Sequence, residues 1–221
     1  MALKSKKLGR PPNRELQARR RTEILDAALR LFAEHGYDAA DTKTLSDALG
    51  VGKGTIYRYF SSKRDLFLAT LNRAMDRLDE QIDQAMSLAA DPLDRFLTAL
   101  VAYLRFFDEN PAVVELLLQE RALFKGAQRP TYFQRKEANA ARHHQMLEDL
   151  IAADRLRQVP VERIGEVLGN VIYGTMFTNY FAGRKKPFES QVEDILDIVF
   201  HGILSPSERR KRGARRDLAT T

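Results

Sequence analysis

TKTLSDALGVGKGTIYRYFSSK, residues 42–63, divides into two short helical segments around a glycine. In the first, Leu45, Ala48 and Leu49 recur at helical spacing and give one apolar stripe. Thr42, or Asp41 before it, is a suitable N-cap. Gly50 stands where a left-handed residue ends a helix without a Cβ clash. Ala48 is small enough for a crossing helix to approach, and Val51 is the apolar plug of the turn. The second segment, 52–60, puts Ile56 and Phe60 four residues apart on one buried face. Lys53, Gly54, Thr55, Tyr57, Arg58 and Tyr59 are left around the outer surface and the N-terminal end. Two short helices joined by a tight glycine-containing turn are how a small domain presents one helix to the major groove of DNA. The free N–H groups and positive dipole end of such a helix suit phosphate. Gly54 lets the backbone come near, and Thr55 and Arg58 have the reach for base edges. A compact hairpin with a merely polar outer face would share the apolar spacing. The tyrosines and a neighbouring basic arm favour DNA.

The arm is residues 1–13, with Lys4, Lys6, Lys7, Arg10 and the Pro11–Pro12 pair. It cannot bury enough apolar surface to order alone, and Arg10 is its candidate minor-groove contact. Net charge is +6 over residues 1–65, −4 over 66–205 and +4 over 206–221. Positive charge thus concentrates at the two ends, as in a nucleic-acid binder with a separate sensing body. Residues 205–221 read as a basic, disordered tail that adds at most non-specific attraction to phosphate.

The 221 residues allow one large or two small domains, and a hydrophobic share of 44% is ample for a core. No cysteine is present, which removes disulfides and thiolate metal sites. No apolar run approaches the roughly 18 residues of a membrane span, and the basic start lacks the apolar stretch of a secretory signal. A cytoplasmic protein with no membrane partner is expected.

The periodicity predicts an all-α chain. A first helix runs from about Arg14 to His35, with Ile24, Ala28, Leu31 and Phe32 inward and Gly36 ending it. Ser61 or Ser62 caps a long helix over about 63–86 on which Phe67, Leu71, Leu78 and Ile82 keep the period. Asp91–Pro92 and Asn110–Pro111 open two more. Further helices are expected over 132–153, from Pro160 to about Phe181, and over 190–204, making four or five after the long one. The expected organisation is a disordered arm 1–13, a three-helix head 14–62 with helix-turn-helix, a larger helical body 63–204, and the tail.

From Ile24 to Phe67, ILDAALRLFAEHGYDAADTKTLSDALGVGKGTIYRYFSSKRDLF, the chain resembles the TetR-type one-component transcriptional regulators. The resemblance implies a three-helix DNA-binding head and a helical body that dimerises and usually binds a small effector. It implies phosphate contacts from Thr42, Tyr57, Tyr59 and Lys63. It implies base or groove contacts from Val51, Gly52, Lys53, Gly54, Thr55 and Arg58. Beyond roughly residue 85 it gives neither ligand nor regulated gene.

In the body, the helix over 161–181 is apolar around more than one face, which calls for cover on most sides. A symmetric dimer through the last two helices supplies it, with Ile164, Leu168, Ile172, Ile195, Val199 and Ile203 at the interface. Two-fold symmetry would set two recognition helices ~34 Å apart, or a multiple of that, on a near-palindrome. Candidate effector contacts are Tyr103, Phe107, Phe124, His143, Met146, Tyr173, Met176 and Phe177, with Phe106, His144 and Tyr180 nearby. Such residues at helical spacing also serve as plain core. The adjacent His143 and His144 diverge on a helix, and no metal, cofactor or catalytic constellation is expected. The leading expectation is a dimeric repressor released from a palindromic operator by a small molecule. The alternatives are an activator, a regulator without effector, a helical-bundle enzyme, or a basic protein that binds acidic surfaces without reading sequence.

Overall fold

The computed structural model describes residues 14–126 and 129–202, so Arg10, the basic arm, Ile203 and the tail lie outside the described residues. Among the described residues there are ten helices and no strand, as the all-α reading requires. They are α1 (Arg14–Ala39), α2 (Thr42–Ala48), α3 (Lys53–Tyr59), α4 (Lys63–Ser87), α5 (Pro92–Glu109), α6 (Pro111–Leu123), α7 (Thr131–Ala138), α8 (Ala140–Ala152), α9 (Val161–Ala182) and α10 (Phe188–His201).

Local chemistry sets most boundaries. Gly36, at φ 75°, breaks α1 where the sequence places its end, and one more turn follows before Ala40. Asp41 caps α2, its carboxylate accepting from the Lys43 amide at 2.8 Å. Ser62 caps α4 by accepting from the Asp65 amide at 3.0 Å, while the Asp65 carboxylate accepts from the Ser61 amide at 2.9 Å. This reciprocal pair satisfies two otherwise orphaned donors. Asp91 accepts from the amides of Leu93 and Asp94 and starts α5.

Three expectations change. The single helix over 132–153 is two, α7 and α8, separated at Asn139, whose side-chain amide donates to Asp79 on α4 at 3.1 Å. Six helices therefore follow α4, and α10 ends at His201 before Gly202. Ala48 is exposed and takes no part in helix crossing; Ser46 is buried instead, its hydroxyl donating to the Lys43 carbonyl at 2.8 Å.

α4 packs along α1 and α5, and α6 lies across α1. One apolar cluster runs from Ile24, Phe32, Leu45 and Ile56 in the head, through Phe67 and Met75 on α4, to Phe106, Leu116 and Met176 in the body. The proposed boundary at 62/63 is thus a change of role along the chain with no break in packing. Two smaller clusters form around Leu147 and Leu150, and around Leu104 and Phe188.

Candidate nucleic-acid interface and effector cavity

In the head, α2 and α3 meet across the turn at Gly50, whose φ of 62° is the left-handed geometry that glycine supplies. Val51 donates its amide to the Ser46 carbonyl at 2.9 Å and closes the turn. Ile56 and Phe60 are 1% and 2% exposed, so the back of α3 is fixed in the core. Burying an isoleucine of this kind is worth roughly 1.5–3 kcal/mol relative to leaving it in water. Gly52, Lys53, Gly54, Tyr57 and Arg58 consequently face solvent, with Val51, Thr55 and Tyr59 half-buried beside them.

Several of these groups are already oriented. The Arg58 guanidinium lies 5.7 Å from the Tyr59 ring centroid. Lys53 Nζ is 3.9 Å from the Asp41 carboxylate, a weak, exposed pairing that leaves it available. Lys63 donates to the Asp38 carbonyl at 2.9 Å and sits 4.9 Å over the Tyr37 ring. Thr42 is buried, its hydroxyl 3.2 Å from that of Tyr57. Thr42, expected at a phosphate, is thus covered, and Tyr57 is the outward member of the pair. The described head, 14–62, carries eight Lys and Arg against seven Asp and Glu. Most of the +6 over residues 1–65 thus belongs to the arm, outside the described residues.

Head and body meet through aromatic rings and a polar chain. Phe124, expected at the effector, instead packs against Tyr37 and Phe67 at centroid distances of 5.4 and 5.7 Å, with Arg64 stacked over it. It belongs to the head–body seam because α6 crosses α1 there. The Gln119 amide donates to the Phe32 carbonyl at 3.0 Å and to the Glu115 carboxylate at 2.8 Å. The Tyr180 hydroxyl donates to that same carboxylate, so α9 is linked through α6 to α1. The hydrogen bond to Glu115, then burial and the carboxylate's charge, holds the Tyr180 phenol up at about 12.

Two cavities stand out in the body among the described residues. The larger, about 640 Å³, lies between α4, α5, α7, α8 and α9, and its walls are mainly apolar: Met75, Leu78, Phe96, Leu100, Met146 and Leu168. Its volume is that of an ordinary small-molecule site. Arg95, Arg135, Lys136, Arg142, Asp79 and Asp83 stand among its lining residues. Tyr103, His143 and Met146 line it as expected. Burial, then the neighbouring Arg142 and His144, lowers the His143 pKa and favours a neutral ring. The smaller cavity, about 330 Å³, is lined by Tyr103, Phe107, Met176 and Tyr180 among others. Tyr103 and Ile172 border both. Tyr103 is paired with the Tyr132 hydroxyl, and burial pushes its phenol well above the ordinary value.

Tyr173 and Phe177 line neither cavity. They meet edge to face at 4.6 Å, and Tyr173 packs against Tyr132 and Phe133, because their side of α9 turns toward α7. Of the expected dimer residues, Ile164 and Leu168 pack partly on the Leu150 cluster, and Ile172 and Ile195 on the Leu104 cluster. Val199 is half-buried. The outward apolar groups of α9 and α10 are Val167, Phe181 and Ile198, at 53%, 69% and 50% exposure. Sequence reasoning missed these, and it missed the cavity's charged rim. Single-helix periodicity places the rim residues on solvated faces and does not show that four helices bring them together.

Residues 24–70 match the family described as bacterial regulatory proteins, tetR family. Over 107 residues the chain is 34% identical to the HTH-type transcriptional activator FasR of Mycolicibacterium smegmatis, covering 48% of this chain and 49% of that protein. Over 103 residues it is 33% identical to the HTH-type transcriptional repressor KstR of Mycobacterium tuberculosis, covering 47% of each. The chain thus spans about half the length of these curated relatives. Its fold is similar to that of the transcriptional regulator FadR from Bacillus subtilis in complex with stearoyl-CoA, with a TM-score of 0.64 and 18% identity, covering 83% of this chain and 99% of that one. An identity that low speaks for the shared fold alone. The match to the tetR family of bacterial regulatory proteins thus takes in most of α1, all of α2 and α3, and the start of α4.

Proposed function

We propose that this protein is a sequence-specific DNA-binding transcriptional regulator. It acts in the cytoplasm as a symmetric dimer and leaves a palindromic operator when a small molecule fills its body. The observation that carries the reading is α3: its back is locked by Ile56 and Phe60, and its face offers Lys53, Gly54, Tyr57 and Arg58 to solvent. Thr55 and Arg58 read base edges with Lys53 in the groove beside them, while Tyr57, Tyr59 and Lys63 position the head on phosphates. Dimerisation through α9 and α10 would cover Val167, Phe181 and Ile198 together with the half-buried Val199.

The body supports an effector by its cavity of about 640 Å³. The FadR relative holds stearoyl-CoA, a molecule with a long apolar chain, which fits the apolar walls seen here. An effector that prefers a dimer with its heads at another separation shifts the population away from the DNA-bound form. The activator FasR and the repressor KstR match the chain at 34% and 33% identity, so the match alone does not choose the direction of control.

The deciding experiment is selection of bound fragments from random double-stranded DNA. The expected product is a near-palindrome, with affinity falling by about 0.9 log unit per log unit of salt for each phosphate neutralised. Arg58→Ala should lose about 1–3 kcal/mol on that site and relax preference at one position per half. Enrichment of no sequence would leave a non-specific binder and refute the reading.

A further inference from the structure

The larger cavity carries a charged seam that its apolar walls do not require. On α4, Met75, Leu78 and Ile82 line the cavity, and Asp76, Asp79 and Asp83 occupy the adjoining stripe at i, i+3 and i+7. Facing them, Arg135 on α7 pairs with Asp76 and lies 3.2 Å from Asp79, and Arg142 on α8 pairs with Asp83. Asn139, between the two, donates to Asp79. Residue numbers rise together on both sides, so three rungs clasp α4 to α7 and α8. Lys136 differs. Among the described residues no carboxylate lies within 4.0 Å of its ammonium, which reaches over α9 to within 2.8 Å of where a Cβ on Gly169 would stand.

We propose that the cavity takes an elongated apolar molecule ending in an anionic group, a carboxylate or a phosphate, and that this group draws Arg135 and Arg142 away from the aspartates of α4. The inference rests on the cavity being the effector site. The aspartates act as a built-in competitor: they occupy the guanidiniums until an anion, assisted by Lys136, replaces them. Each rung is part-exposed and so weak on its own, which suits a contact made to be exchanged. α4 begins directly after α3 and its cap, so releasing this seam frees the helix that carries the head. Burial already raises the Asp79 pKa, and losing Arg135 would leave its carboxylate poorly compensated and push α4 off the seam.

The test is calorimetric titration of the full chain with three twelve-carbon probes, dodecanoate, dodecanoyl-CoA and 1-dodecanol, each below its aggregation threshold. At least one anionic probe is expected to bind about tenfold tighter than the alcohol, and Arg142→Gln to shrink that gap to about twofold. Preference between the two anionic probes tells carboxylate from phosphate. The double variant Asp79→Asn, Asp83→Asn removes two of the three competing carboxylates and should tighten the preferred anion about threefold with the alcohol unchanged, whereas a damaged fold would weaken both. The preferred anion should also speed amide hydrogen exchange along α4, and the alcohol should not. Equal binding of all three probes, an aspartate variant that gains nothing, or unchanged exchange along α4 overturns the inference and leaves the cavity reading standing. Binding of none of the probes removes both.

Discussion

The head sets its candidate DNA-facing surface on one helix of seven residues, α3, with the buried anchors four positions apart, whereas the larger cavity draws its walls from five helices spread between Met75 and Ile172. The first is a local object: a glycine turn, an apolar pair and a polar face that a short peptide pattern encodes. The second exists only once α4, α5, α7, α8 and α9 have packed. A local surface is held rigid by few contacts and fails when one of them goes. A distributed one tolerates loss at most positions and changes its capacity instead of its existence.

Substitutions can break or sharpen this contrast. The largest effect is expected on assembly: Val167→Glu with Ile198→Glu places charge on the outward face of α9 and α10. Sedimentation should then show one chain in place of two, while unfolding of the single chain barely moves because both positions are exposed. A dimer that survives would move the interface elsewhere. Next is Ile56→Ala, which leaves a hole behind α3 and should cost about 2–5 kcal/mol in denaturant unfolding. A loss well under that range would mean the head is less local than described. Smaller still is Tyr103→Ala. It removes the wall shared by the 640 and 330 Å³ cavities, and the preferred chain length of a straight-chain ligand series should increase. An unchanged optimum would mean the two spaces stay separate without that ring.

The smallest effect is expected from Tyr180→Phe, which deletes the bond to Glu115 and should cost about 1 kcal/mol. The folded phenol, at about 12, lies above its ordinary 10.0. The bond's contribution is therefore complete below pH 10 and lost as pH climbs through 12. Wild type and variant should converge in urea unfolding across that alkaline window. A gap that stays constant with pH would assign the cost to packing.

The sequence carried the head almost entirely, because Gly50, Ile56 and Phe60 each act within a few residues of their effect. Its one misplacement there was Ala48, since a small side chain reads the same whether it faces a neighbouring helix or water. In the body, Tyr103, His143 and Met146 were found at the larger cavity and Phe107 and Met176 at the smaller. Phe124, Tyr173 and Phe177 were not, because an aromatic on an amphipathic helix shows that it is covered and not by what. Asn139 interrupts a periodic run without glycine or proline, by reaching for Asp79 some sixty residues away in sequence, and no local signal marks it. The rim cations were hidden for the same reason.

The apolar cluster that runs from Ile24 to Met176 predicts that head and body melt together. Cutting the chain after Ser62 would strip Phe67 and its neighbours from the underside of α1, so the excised head should not hold its shape alone. In a calorimeter the intact protein should give a single heat-absorption peak. Whatever occupies the body should then raise the temperature at which α3 itself unravels.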